Sequence, residues 1–361
     1  MQKNLLLLLI GLFLALPRRG EAAEPLAPAD QSSVFLPYVQ TAERHYVWIT
    51  PQEIAALPAS GPAWANVLAW AQQDSSQPNL GSQDDQTDAV VMAKALMYVR
   101  TGQAAYRQQV VGAVGAAIGT EEGGTALALG RNLTAYVVAA DLVGLPPDLN
   151  YQFRQWLAAV RHKEFEGRTL VGTHEERPNN WGTHAGAARI AIARYLGDRA
   201  DLQRAATVFH GWLGNRSAYA GFNYGSDLSW QCNPAQPVPV NPPGCLIAGQ
   251  VADGILTDDQ RRAGSFTWPP PQENYVWEAL QGTVAQAWML SRAGYPAFEW
   301  EQQALLRAVT WLHQQALFPA AGDDTGTPWL INAIYGQSFP TSVPAKPGKN
   351  GLGFYDWLLG G

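Results

Sequence analysis

Only two cysteines, Cys232 and Cys245, occur in the 361 residues, and neither CxxC nor HExxH is present. That excludes a cysteine-rich scaffold and leaves no strong metal motif. Charge is scarce too: 15% of residues are Asp, Glu, Lys or Arg, and the formal net charge is -6. Without a basic surplus or clustered Lys and Arg, the composition argues against a nucleic-acid binder. Sustained apolar–polar alternation is missing, and with it any sizeable sheet. Beyond the N-terminus no stretch reads as long and apolar enough to span a bilayer.

The N-terminal exception carries Lys3, an apolar run from Leu5 to Pro17, and small residues at Gly20 and Ala22. It reads as a secretory signal over residues 1–22, too short and too weakly flanked for an anchor. Residues 23–361 are then a single mature domain, secreted or periplasmic, monomeric and free of the membrane. Loss of Lys3, Arg18, Arg19 and Glu21, a net +2, takes the charge from -6 to -8. In an oxidising compartment Cys232 and Cys245 can close the Pro-rich loop between them as a disulfide; two buried thiols are the alternative.

What the chain does have is helical periodicity. It recurs near 61–73, 86–101, 103–118, 124–143, 147–163, 180–196, 199–213, 276–293 and 298–317. Thr50-Pro51-Gln52-Glu53 has the form of a capping box, and Gly102, Gly123 and Pro146-Pro147 punctuate the series. No linker divides the helices and no solenoid repeat recurs, which predicts an all-α fold of the (α/α) toroid type. The interruption at 214–275 is rich in Gly, Pro and aromatics. It holds Trp230, Asp253, Asp258, Asp259, Arg261, Arg262, Trp268 and Tyr275, and reads as an ordered lid or cleft wall.

The segment RPNNWGTHAG, residues 177–186, concentrates polar chemistry at the start of an apolar helix. Pro178 is a plausible opener, and Asn180 and His184 share a helix face at a spacing of four. On its own the pair reads first as an N-cap followed by a satisfied core histidine. Arg131, Asn132 and Tyr136 fall near one face of an earlier helix, as cleft lining or as a structural cluster. His174 and Glu175 precede the motif in a loop, as sugar contacts or plain surface. With 14 Trp and 13 Tyr the chain has many faces on which sugar rings, or core neighbours, could stack.

RPNNWGTHAG together with DGILTDDQRRAGSFTWPPPQENYVWEALQG resembles the alginate-lyase-like polysaccharide lyases, most closely polysaccharide lyase family 38. ALGRNLTAYVVAADLV, YVRTGQAAYR and KNGLGFYDW extend the resemblance over roughly residues 45–358. It implies an (α/α) toroid and β-elimination of a 4-linked uronic-acid polymer, either mannuronan (alginate) or glucuronan, without a cofactor or metal. The better-known alginate lyases place His directly after the Asn pair; here Trp181 takes that slot and the histidine comes at His184.

Such an elimination removes the proton at C5 and expels the oxygen at C4, and stabilising the C5 carboxylate stabilises the enolate-like intermediate. Asn180 and His184 would supply that stabilisation, and Arg262 or Arg261 would clamp a carboxylate. Tyr275 is the expected proton carrier. A free phenol titrates near about 10, so it must be helped to act as a base but can act as an acid unaided. In glucuronate and mannuronate one tyrosine could serve both steps, because the C5 proton and C4 oxygen lie on the same side. In guluronate they lie on opposite sides, and His184 would be needed as a separate base. Asn179, Trp181, Arg131, Asn132, His174, Arg261, Trp230 and Glu278 complete the set as expected contacts to an anionic polysaccharide. A packed aromatic under Pro269-Pro270-Pro271 is the plainer reading of Tyr275, as a solvated pair answering Asp258 and Asp259 is of the two arginines. Two other readings are a glycoside hydrolase using a carboxylate pair, and a non-catalytic glycan-binding protein with Trp181, Trp230 and Trp268 as platforms.

Overall fold

The computed structural model describes residues 46–360, so the segment read as a signal, 1–22, lies outside the described residues. The fold is all-α, with 55% helix and 3% strand. The first half runs through α1 (Pro51–Ala56), α2 (Gly61–Ala71), α3 (Thr87–Thr101), α4 (Ala104–Ala117), α5 (Ala126–Val143) and α6 (Pro147–Val160). Next come α7 (Leu170–Glu176), α8 (Asn180–Leu196) and α9 (Arg199–Trp212). After the interruption, which holds α10 (Thr257–Gln260), the chain resumes with α11 (Tyr275–Ser291), α12 (Trp300–Gln314), α13 (Gly326–Tyr335) and α14 (Tyr355–Leu359). Contacts run from α2 to α3, α5, α8, α11, α13 and α14, and from α14 back to α2.

Local signals set the boundaries. Thr50 forms the full capping box with Glu53, and Gly102 ends α3 in the left-handed conformation that glycine adopts without strain. Helix α8 opens at Asn180, as the periodicity near 180–196 predicts and two residues after Pro178, the expected opener. Asn179 is its N-cap, its side chain accepting from the Trp181 N–H, while the Pro178 carbonyl accepts from the Trp212 indole. Residues 170–176 are helix α7 rather than loop, because Thr169 caps them and their inner face is buried.

By length and composition α5 could cross a membrane, contrary to the reading that no later stretch could. All 18 of its residues are buried in the protein instead, including Arg131, Asn132 and Asp141. It packs on α8, which packs on α11, and two glycines set the spacing. A Cβ on Gly130 would lie 2.9 Å from the Ala185 nitrogen, and one on Gly282 would lie 2.6 Å from the Thr183 carbonyl carbon. Backbone at His184 is therefore gripped from both sides.

The interruption at 214–275 is ordered. Its only strands are a two-residue hairpin, Leu246–Ile247 against Gln250–Val251, and Cys232 and Cys245 are joined as a disulfide. Trp230 is fully buried, donates to the Gly264 carbonyl and meets Phe266 edge to face. It is the insertion's own core, not a sugar platform.

Two consequences are measurable. Gly282→Ala forces a methyl against α8 backbone that cannot yield, and overpacking of this kind costs about 1–3 kcal/mol; denaturant unfolding should show the loss, and an unchanged midpoint would refute the close approach. Reducing the disulfide, which spans a separation of 13 residues, should cost about 3 kcal/mol. Because none of residues 232–245 lines the cavity described below, turnover at saturating substrate should persist in the reduced, folded protein.

Candidate active site

The α8 N-terminus is fixed from outside by the insertion. Asp258 accepts from Asn179 Nδ2 at 2.9 Å and from Arg261 Nε at 2.6 Å, and Asp259 accepts from the Asn180 backbone N–H at 3.0 Å. Carboxylates are favoured there, where free N–H groups and the positive end of the helix dipole meet. Asp259 is fully buried, and burial pushes its carboxyl well above the usual range, the Asn180 N–H pulling it back. This docking delivers the next residues of the insertion to the face beside Trp181.

There a cavity of about 590 Å³ is lined by Gln83, Leu127, Arg131, Trp181, Arg262, Asn274, Tyr275, Glu278 and Lys349. Five of the expected residues converge in it: Arg131, Trp181, Arg262, Tyr275 and Glu278. Tyr275 is the first residue of α11 and 37% exposed, with its ring covered by the Arg262 guanidinium at 3.5 Å. Arg131 donates to Gln83 at 3.3 Å and forms an ion pair with Glu278. The two adjacent arginines have separate tasks, since Arg261 is tied to Asp258 and only Arg262 lines the cavity.

Asn180 and His184 lie beneath this surface, each 0% exposed. Neither side-chain atom of Asn180 nor either ring nitrogen of His184 has a hydrogen-bond partner among the described residues. His184 is held well below the usual histidine range by burial, then by the positive charges of Arg131 and Lys349. It is a neutral imidazole, a donor through one nitrogen and an acceptor through the other.

The remaining expected contacts stand elsewhere. Asn179 is a buried cap, and Asn132 donates to the Ser82 carbonyl at 2.7 Å, pinning the loop that carries Gln83. Tyr136 bonds Thr87, and Trp230 is buried in the insertion. His174 is buried on α7 beside Arg189, while Glu175 takes Arg189 and Arg204 into a network linking α7, α8 and α9. Sequence reading passed over Gln83 and Lys349. Lys349 sits within KNGLGFYDW, where the charge beside a glycine pair was the available signal. Both residues also line an adjoining cavity of about 630 Å³ that contains Trp70, Asp84 and Lys346, so the open surface continues past Tyr275.

An all-helical scaffold with a cationic, aromatic cavity over buried amide and imidazole groups is suited to a polysaccharide-cleaving protein. Residues 46–221 match the family model described as Alginate lyase, a match that supports an alginate-lyase-like polysaccharide lyase. No curated protein matches it. The matched segment carries Arg131, Asn180, Trp181 and His184, whereas Arg262, Tyr275, Glu278 and Lys349 lie beyond it.

The displaced candidate His174 has a pH signature of its own. Burial, then the charge on Arg189, pushes it down to about 3. An unfolded histidine binds its proton near about 6.5, so between these values the unfolded chain holds more protons. Stability present above that upper value is therefore lost as pH falls toward the lower one. His174→Asn should flatten the acid side of the stability profile in urea unfolding; an unchanged slope would show that His174 does not titrate in this way.

Proposed function

We propose that this protein is an exported lyase of 4-linked uronic-acid polymers, mannuronan (alginate) or glucuronan, acting by β-elimination on an (α/α) toroid. The resemblance to polysaccharide lyase family 38 belongs to the same proposal. The observation that carries it is the convergence of Tyr275, Arg262, Arg131, Lys349 and Trp181 on one cavity beside the buried side chains of Asn180 and His184, which have no hydrogen-bond partner among the described residues. The circuit of helix contacts supports the toroid, and the disulfide supports export to an oxidising compartment.

In this reading the uronate carboxylate is stabilised by the Asn180 amide and by one N–H of His184, with cationic charge from Arg131 and Lys349. Trp181 offers an aromatic face to a sugar ring. Tyr275 as phenolate takes the C5 proton, the C5 electron pair forms the C4–C5 double bond, and the C4–O bond breaks. The phenol then returns its proton to the departing oxygen. The cations offset negative charge on the phenolate and the enolate alike.

Burial that keeps His184 uncharged also makes it a weak base. The reading therefore favours substrates whose C5 proton and C4 oxygen share a side, which a single tyrosine can serve. A hydrolase is disfavoured because Glu278 is the one carboxylate among the residues lining the Tyr275 cavity, and it is paired with Arg131. Inverting and retaining hydrolysis both need two.

The test is ultraviolet detection of the unsaturated chain end on mannuronan, glucuronan and polyguluronate. Tyr275→Phe should lower turnover by about 10²–10⁴-fold, and Asn180→Ala by about 10²–10³-fold, with both variants folded. His184→Ala should impair mannuronan and glucuronan cleavage together. Near-full activity of Tyr275→Phe, or reducing ends without unsaturation, would overturn the mechanism.

A further inference from the structure

Four side-chain atoms with no hydrogen-bond partner among the described residues, two on Asn180 and two on His184, lie four residues apart on one helix and are wholly buried. Buried polar atoms are nearly always paired, so a group of this kind marks a place where a partner arrives. Arg131 from α5 and Glu278 from α11 line the cavity wall and are joined as an ion pair, their side chains only 7% and 8% exposed. Arg131 Nε is itself buried without a partner, and the Arg131 charge reaches the His184 ring.

We propose that the Arg131–Glu278 pair is a displaceable closure, in which the Glu278 carboxylate holds the place that the substrate's carboxylate takes. A uronate entering past Arg262 and Tyr275 exchanges for Glu278 on Arg131. Moving the pair apart opens the passage to the Asn180 amide and the His184 N–H, which then gain their missing acceptor. Only an anionic sugar can make the exchange, because a neutral one offers Arg131 nothing for the charge it gives up. Glu278 is thus a positioning residue for carboxylate recognition. This deepens the lyase reading and rests on it for the identity of the polymer.

A closed resting state reduces apparent affinity by the fraction of molecules that are open. If that fraction is about 10% or less, Glu278→Gln, which keeps the shape and removes the charge, should lower KM for the preferred polyuronate about tenfold or more. The inhibition constant of free glucuronate should fall in parallel, and kcat should change little. A raised KM with a folded protein would mean that Glu278 contacts the sugar directly, and would overturn the closure.

If Glu278→Gln does not fold, the wild-type protein still decides the matter. In ¹⁵N-histidine-labelled protein, free glucuronate should shift the His184 ring signals, identified by their loss in His184→Asn, and free glucose should not. Competitive binding of glucuronate without any His184 shift would refute the proposal. If no polyuronate yields an unsaturated end while glucuronate still binds and moves His184, the closure stands and the lyase reading falls.

Discussion

Everything at the cavity depends on two carboxylates of one short helix, Asp258 and Asp259, set against the start of α8. The contact satisfies the Asn179 side chain and the Asn180 N–H at once, where a helix has donors to spare. It also fixes the far end of a sixty-residue excursion, so that Arg262 and Tyr275 arrive beside Trp181. Without it, α8 would keep its amide and imidazole and α11 would still carry Tyr275, but Arg262 would lose the anchor that sets it over the phenol ring. Burying Asp259 is costly, and its elevated titration is the sign of that cost.

The same helix is confined laterally by backbone. Gly130 and Gly282 let α5 and α11 approach the chain at Thr183–Ala185 more closely than any side chain would allow. Side chains next to those contacts, Arg131 on α5 and Glu278 on α11, therefore project from rigid, largely buried supports. Such supports fix a functional group better than loops do. The polar residues of the α7–α8–α9 side serve cohesion: Arg189 joins Glu175 and Asp201, and Arg161 joins Asp198 and Asp201.

Much of the scaffold was legible in the sequence because its helices are long, Ala-rich and bounded by caps or glycines, as at Thr50 and Gly102. Shorter helices escaped. Periodicity over seven residues in α7 or five in α14 is too brief to separate from a turn, so the sequence around His174 reads as loop. At the site, the structure gathers Trp181 from RPNNWGTHAG and Arg262 and Tyr275 from the interruption at 214–275 on one cavity, with Arg131 and Glu278 from outside both. What sequence could not supply was direction. Asn132, Asn179 and Trp230 have the chemistry of ligand contacts, yet each spends it on the protein's own backbone or side chains. Arg261 and Arg262 are indistinguishable as letters, and only the short 3-10 turn that carries them sends one to Asp258 and the other over Tyr275. Lys349 went unnoticed because its importance comes from long-range closure of the chain.

The family match stops at residue 221, and the cavity does not respect that border. Amide, indole and imidazole come from one side of it, while the phenol, one arginine and the lysine come from the other. On the proposed reading, a growing polypeptide that has reached residue 221 holds the carboxylate-recognition groups and lacks the phenol that transfers the proton. Even at residue 300 it lacks Lys349. On that reading competence arrives only when almost the whole chain has been made and folded back on its earlier half, so a truncated or half-folded molecule would be inert toward polymer.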